Sequence, residues 1–234
     1  MARKSTLSSI KWLRASRQRT AGTVLRDKEL SPGVSVYHYL EYPHALAIFG
    51  ENRLRLASPA GWSDPYERHR IERIPQGVSV YALCSNRSRY DEAAWRMVGF
   101  GRTNALVRLR CRVQTILTAA GALAEQRAGE FYIGKVRYDK NEVTLKDDLK
   151  SVAGLMLRKS PALKFEREVR ALWFDSEPQN KGLFLPIDAQ ETITQVMCSP
   201  HAHPDVQARI QQEFEKFGVS VVGAAGSQPR DGAD

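Results

Sequence analysis

The chain has 234 residues, of which 42% are apolar and 26% charged, and its formal net charge is +9. That length suits one large domain or two small ones, and the composition is that of a globular protein with a core, not of a disordered or fibrous one. No run reaches the roughly 18 apolar residues of a membrane helix, so no membrane partner is expected, and no secretory signal is read near the start. The three cysteines, Cys84, Cys111 and Cys198, are odd in number and widely spaced. They suggest neither a disulfide framework nor a zinc site, and they fit a cytoplasmic location.

The charge is uneven. Residues 1–30 carry eight basic side chains (Arg3, Lys4, Lys11, Arg14, Arg17, Arg19, Arg26, Lys28) against Asp27 and Glu29, leaving +3 for the rest of the chain. Ser5 can cap a helix with Leu7, Ile10 and Leu13 on one side, so residues 1–30 read as a basic helical arm. Such an arm suits nucleic acid or an acidic protein partner. Ser31-Pro32-Gly33 is a turn signal, and a single domain is expected over 31–222. The small, polar segment 223–234 reads as a disordered tail.

Within the domain, Val34–Tyr39 is β-rich and reads as a strand, followed by a short helix over Pro43–Phe49. Arg53–Leu56 alternates polar and apolar as a half-buried strand does, and Ser58–Pro65 reads as a loop. Val78–Cys84 is a strong strand and Asp91–Val98 a helix. Ala105–Val113 alternates as a strand and Gln114–Gln126 is Ala- and Leu-rich, hence helical. Phe131–Tyr138 and Phe165–Phe174 read as strands on either side of a helix over Lys146–Lys159. Strands follow near Leu183–Ile187, Ile193–Val196 and Val219–Val222. The clear helix Pro204–Phe217 precedes the last strand, with Val206, Ile210, Phe214 and Phe217 on one stripe. Strands outnumber helices and do not alternate strictly with them. The fold class is therefore α+β, with a mixed, largely antiparallel sheet and flanking helices.

Four places carry residues with chemical potential. Tyr37-His38-Tyr39 holds a histidine between aromatics, as a core residue or as a hydrogen-bonding group beside a stacking platform. In Ser58-Pro-Ala-Gly-Trp-Ser-Asp-Pro-Tyr-Glu67, Asp64 before Pro65 is a turn starter, and Asp64 and Glu67 are candidates for a cleft. Trp95, followed by Gly99-Phe-Gly-Arg102, offers an aromatic surface and a weak phosphate-loop hint. In Phe165-Glu-Arg-Glu-Val-Arg170, a strand would place Glu166, Glu168 and Arg170 on one face. That face is either the solvent side of an edge strand or a cleft wall, where Arg170 orients Glu168. His201-x-His203 reads as a surface loop, and no metal-ligand set is predicted.

These marks resemble, in order, the bacterial domain of unknown function family 2971. The likeness rests on Tyr37-His38-Tyr39, Arg55-Leu-Ala-Ser-Pro59, Trp62-Ser-Asp-Pro-Tyr-Glu67, Ala94-Trp95-Arg-Met-Val98, Val136-Arg-Tyr138, and Lys159 with Glu166-Arg-Glu168-Val-Arg170. Ser63 and Val98 depart from the Asn and Tyr of that pattern. More distantly, the layout is similar to the ADP-ribosyltransferase-like superfamily. That resemblance implies NAD as a substrate, with Glu168 and His38 catalytic and converging on one cleft. Tyr37, Tyr39, Tyr81 and Arg170 would hold the cofactor, while Asp64, Glu67, Trp95 and Glu166 would be substrate-facing or structural. It also implies a toxin or phage-defence effector. Two alternatives stay open: a metal-dependent nuclease using Asp64, Glu67, Glu166 and Glu168, and a non-catalytic module that binds nucleic acid or a partner through its arm.

Overall fold

The computed structural model describes residues 22–62, 64–99, 105–146, 148–175 and 182–223. Residues 1–21 of the expected arm, Ser63, residues 100–102 and the tail from 224 lie outside the described residues.

Eight strands form one sheet: β1 (Thr23–Arg26), β2 (Ser35–Glu41), β4 (Ser79–Asn86), β5 (Leu106–Arg112), β6 (Glu130–Lys135), β9 (Glu168–Asp175), β11 (Ile193–Cys198) and β12 (Val221–Val222). Their order across the sheet is β1-β6-β9-β4-β2-β5-β11-β12. The two edge pairings, β1 with β6 and β11 with β12, are parallel, and every inner pairing is antiparallel. β3 (Arg53–Leu56) and β10 (Leu183–Pro186) make a separate antiparallel ribbon, and β7 (Arg137–Tyr138) pairs with β8 (Arg158–Lys159). The sheet is thus mixed and largely antiparallel, as expected.

Side-chain alternation sends two sets of apolar residues to opposite faces. One face carries Val36, Leu40, Leu83, Leu109, Ala171 and Trp173. It is covered by α1 (Tyr42–Glu51), α4 (Val113–Gln126), α6 (Ala189–Thr192) and α7 (Pro204–Glu215), which supply Phe49, Ile116, Ala189 and Phe214. The other face is divided. Val80, Ala82, Leu172 and Phe174 pack under α5 (Leu149–Met156). Tyr37, Tyr39, Leu106 and Met197 pack under α3 (Glu92–Gly99) through Ala94 and Trp95.

The structure departs from the sequence reading at several places. The helix expected over Lys146–Lys159 spans only Leu149–Met156, and Arg158–Lys159 is the strand β8. Residues 23–26 of the expected arm form β1 and belong to the sheet. Pro65–Ile71 is a helix, α2, because Asp64 is its N-cap: the Asp64 carboxylate accepts the Tyr66 N–H at 2.9 Å, and Pro65 sits in the first turn. The strand expected from Phe165 begins only at Glu168; Pro161–Glu166 is a 3-10 turn that ends on Arg167 with φ +46°. Of the two settings left open for the Glu166, Glu168 and Arg170 face, the edge strand is ruled out: β9 lies between β6 and β4 with all eight residues buried.

The middle of the sheet is forked. β2 and β4 share one register pair, Tyr37 with Asn86. Farther along β4, Ala82 exchanges both backbone hydrogen bonds with Ala57, at 2.8 and 2.9 Å. Between these points the Cys84 carbonyl accepts from His38 Nδ1 at 2.8 Å. A side chain thus occupies the position where a ladder bond would be.

Candidate functional site

The chemistry concentrates where β9 emerges from the 3-10 turn. Glu168 and Arg170 are two residues apart on β9 and share a face. Arg170 Nε donates to Glu168 Oε1 at 2.8 Å and an Arg170 η nitrogen to Glu168 Oε2 at 2.9 Å, a bidentate pair. The guanidinium also bonds the Met156 carbonyl at 2.6 Å, contacts the Glu67 carboxylate from α2, and lies 4.2 Å from the centre of the Trp62 ring. Lys159 on β8 completes the cluster, with its Nζ 2.6 Å from Glu166, 3.4 Å from Glu168 and 3.8 Å from Glu67. Glu67, Glu166, Glu168 and Arg170 are all buried.

Three carboxylates against two cations leave one net negative charge when all are ionised. Burial opposes every one of these charges, and neighbours decide the outcome. For Glu168, burial pushes the pKa up, but the Arg170 charge and hydrogen bonds, with Lys159, outweigh it and hold the carboxyl at about 2. For Glu67 and Glu166 burial wins, and both stay above the usual carboxylate range despite Arg170 and Lys159. Burial also works against charge on Lys159, yet the surrounding carboxylates raise its pKa. Glu168 is therefore the carboxylate held ionised.

Glu168, although buried, is among the residues lining a cleft of about 680 Å³. Arg87, Lys135, Lys164 and Arg167 supply its cationic rim, Tyr138 lines its wall, and Phe165 stands beside the rim with half its surface exposed. Backbone bonds fix this arrangement. The Glu168 N–H donates to Tyr138 Oη at 2.7 Å, the Val136 N–H to the Glu168 carbonyl at 2.9 Å, and the Arg87 N–H to the Arg167 carbonyl at 3.1 Å.

The sequence candidates divide accordingly. Glu67, Glu166, Glu168 and Arg170 come together. Asp64 caps α2, the structural role offered for it. Tyr37 and Tyr39 are buried under α3. Arg108 lies 4.7 Å over the Tyr37 ring, and Trp95 meets Tyr39 edge-on at 4.7 Å. Tyr81 is in the main core. None of these aromatics lines the cleft at Glu168. His38 does not converge on it either. The registers align Tyr37, Asn86 and Glu168 in one row, so His38, one residue on, leaves the opposite face of the sheet.

The link between His38 and Glu168 is Cys84. Its carbonyl takes the His38 Nδ1–H and its thiol hydrogen-bonds Glu168. Burial keeps His38 neutral by lowering its pKa, against the raising effect of the Cys84 bond. Burial first, then the Glu168 charge, pushes the Cys84 thiol well above its usual value.

The rim cations were not foreseen, because they come from the ends of β4 and β6 and from the 3-10 turn. Lys159 entered only as part of the family pattern. As for the nuclease reading, Lys159 and Arg170 bond the carboxylates that a cation would need. Among the described residues no three His, Cys, Asp or Glu side chains are grouped to hold a metal. No described helix is long and apolar enough to cross a membrane.

No protein-family model matches the sequence, and a search of the curated proteins gives no match. The expected likeness to family 2971 therefore finds no support in a family model. Among solved structures, the chain is similar to Thermus sp. 2.9 DarT in complex with NAD+, at TM-score 0.42 and 14% identity over 83% of this chain and 96% of that one. It is similar to the same protein in complex with ADP-ribosylated ssDNA, at TM-score 0.41 and 14% identity over 82% and 94%. The complex with carba-NAD+ gives TM-score 0.41 and 14% identity over 82% and 96%. Superpositions this loose carry no inference about the chemistry of this chain.

Proposed function

We propose that the protein is an ADP-ribosyltransferase-like enzyme that cleaves NAD in the cleft above Glu168. The observation that carries this reading is that Glu168, whose carboxylate is held ionised, lines a cleft together with four cationic residues. Such a cleft suits a ligand that is anionic at its outer part and becomes positive at its inner end. NAD has that distribution in the transition state of glycosidic cleavage. The bond from nicotinamide N1 to ribose C1′ breaks, both electrons leave with nicotinamide, and positive charge develops on the ribose. Water or an acceptor hydroxyl then bonds to C1′ and releases its proton.

In this reading Arg87, Lys135, Lys164 and Arg167 bind the pyrophosphate, and Phe165 offers a stacking surface. Glu168 stabilises the developing positive charge. Arg170 is a positioning residue, since its two bonds fix the carboxylate, and Lys159 keeps the neighbouring carboxylates from repelling it. His38 braces β4 through the Cys84 carbonyl and is also a positioning residue.

Titration of NAD into the protein, followed by calorimetry, tests the rim. Arg87→Ala and Lys164→Ala are surface changes, and each removes a charged hydrogen-bond donor. Each is expected to weaken NAD binding about ten-fold or more. Affinity unchanged in both variants would remove the cleft from the reading.

A further inference from the structure

We infer that a second cavity, between β6, the β7–β8 pair and α5, binds a phosphate group carried on a small, nucleotide-sized molecule. Its volume is about 310 Å³, at the lower end of small-ligand pockets. Lys135, Arg137, Lys150 and Arg158 line it against a single carboxylate, Asp27. Four cations around one cavity repel one another, and an anion between them relieves that repulsion.

Only part of this charge is used within the fold. Arg158 donates through Nε to Asp139 at 2.9 Å, and Lys135 Nζ is 3.8 Å from Glu29. Arg137 and Lys150 are exposed and make no ion pair among the described residues. Tyr132 adds a hydroxyl donor, since burial and then the Asp27 charge raise its pKa and keep it protonated.

The rest of the wall is apolar. Val143, Gly154 and Leu157 face the same space, which gives the uncharged part of a ligand a surface to rest on. Gly154 lies inside α5, where a side chain would favour the helix. A Cβ there would meet only Val143 Cγ1, at 3.7 Å. Lys135 lines both this cavity and the cleft at Glu168, so the two ligands would be neighbours.

The test is calorimetric titration of the full chain with AMP and, separately, inorganic phosphate. AMP is expected to bind and phosphate to compete with it. The double variant Arg137→Ala/Lys150→Ala should weaken AMP about ten-fold or more, through the loss of two charged donors. Gly154→Leu, which keeps every charge and fills the cavity, should abolish AMP binding while the melting temperature and NAD affinity hold. AMP binding unchanged in Gly154→Leu would overturn the inference. So would AMP binding lost in Lys164→Ala but kept in Gly154→Leu, which would assign AMP to the larger cleft. Absence of binding by both probes would also overturn it.

Discussion

Arg170 shows how one side chain organises a site. Its guanidinium serves Glu67, Glu168, the Met156 carbonyl and the Trp62 ring at once, in a position where nothing is left to water. Replacing it by Met would leave Glu67 and Glu168 buried with only Lys159, at 3.8 and 3.4 Å, as a cation. That loss is expected to cost about 3–5 kcal/mol. Urea unfolding of Arg170→Met would measure it, and a change below 1 kcal/mol would show that the carboxylates find other partners.

Glu168 carries a complementary pH dependence. Its folded pKa is depressed, from an ordinary value of 4.5 to about 2. The stability it contributes is therefore present above the ordinary value and lost as pH falls towards 2. The stability gap between wild type and Glu168→Gln should narrow across that window. Glu67 and Glu166 have the opposite sign: their raised folded pKa favours the protonated form, so they add nothing that acid would remove. A gap that stays constant down to pH 2 would show that the ion pair does not depress the Glu168 pKa.

At the scale of elements, close approach of backbone and ring decides which glycines matter. Gly129, just before β6, has φ +157° and lies against Trp173. A Cβ there would come within 2.5 Å of the indole. Gly129→Ala is expected to destabilise by about 1–3 kcal/mol through overpacking. Gly121, inside α4, has nothing within 4 Å of its Cβ position. Gly121→Ala should stabilise by about 0.5–1 kcal/mol through helix propensity. Paired thermal unfolding of the two variants checks both signs.

Elements also show where local pattern misled. Asp64-Pro65 is a good turn signal and an equally good helix start. The Asp64 cap favours the helix, and α2 packs against α5 and β8, contacts that alternation in the sequence does not encode. Phe165–Phe174 has strand composition throughout. Its first residues are nevertheless a 3-10 turn, because Pro161 starts one and Arg167 at φ +46° ends it. That turn places Phe165 and Lys164 at the cleft, where a continuous strand would have sent them to opposite faces.

For the whole molecule, the α+β class and the mixed, largely antiparallel sheet were legible because period-2 alternation and turn residues are local signals. Part of the site was legible too: Glu166-Arg-Glu168-Val-Arg170 and Glu67 were singled out from residue type and spacing, and the fold gathers them. The failures are non-local. Whether His38 reaches Glu168 depends on the register of β2 against β4 and of β4 against β9, and one row of paired residues puts them on opposite faces. The strand order that buries β9 in mid-sheet and the rim assembled from β4, β6 and the 3-10 turn likewise need pairings that no short window contains.

In the proposed function, NAD is cleaved in the basic cleft that the ionised Glu168 lines. Release of nicotinamide from NAD by wild type and by Glu168→Gln, both shown folded by circular dichroism, tests it most directly. Release by the wild type, with a loss of about a hundred-fold or more in Glu168→Gln and little change in NAD affinity, is the predicted result. No release by the wild type, or equal release by both proteins, would contradict the claim.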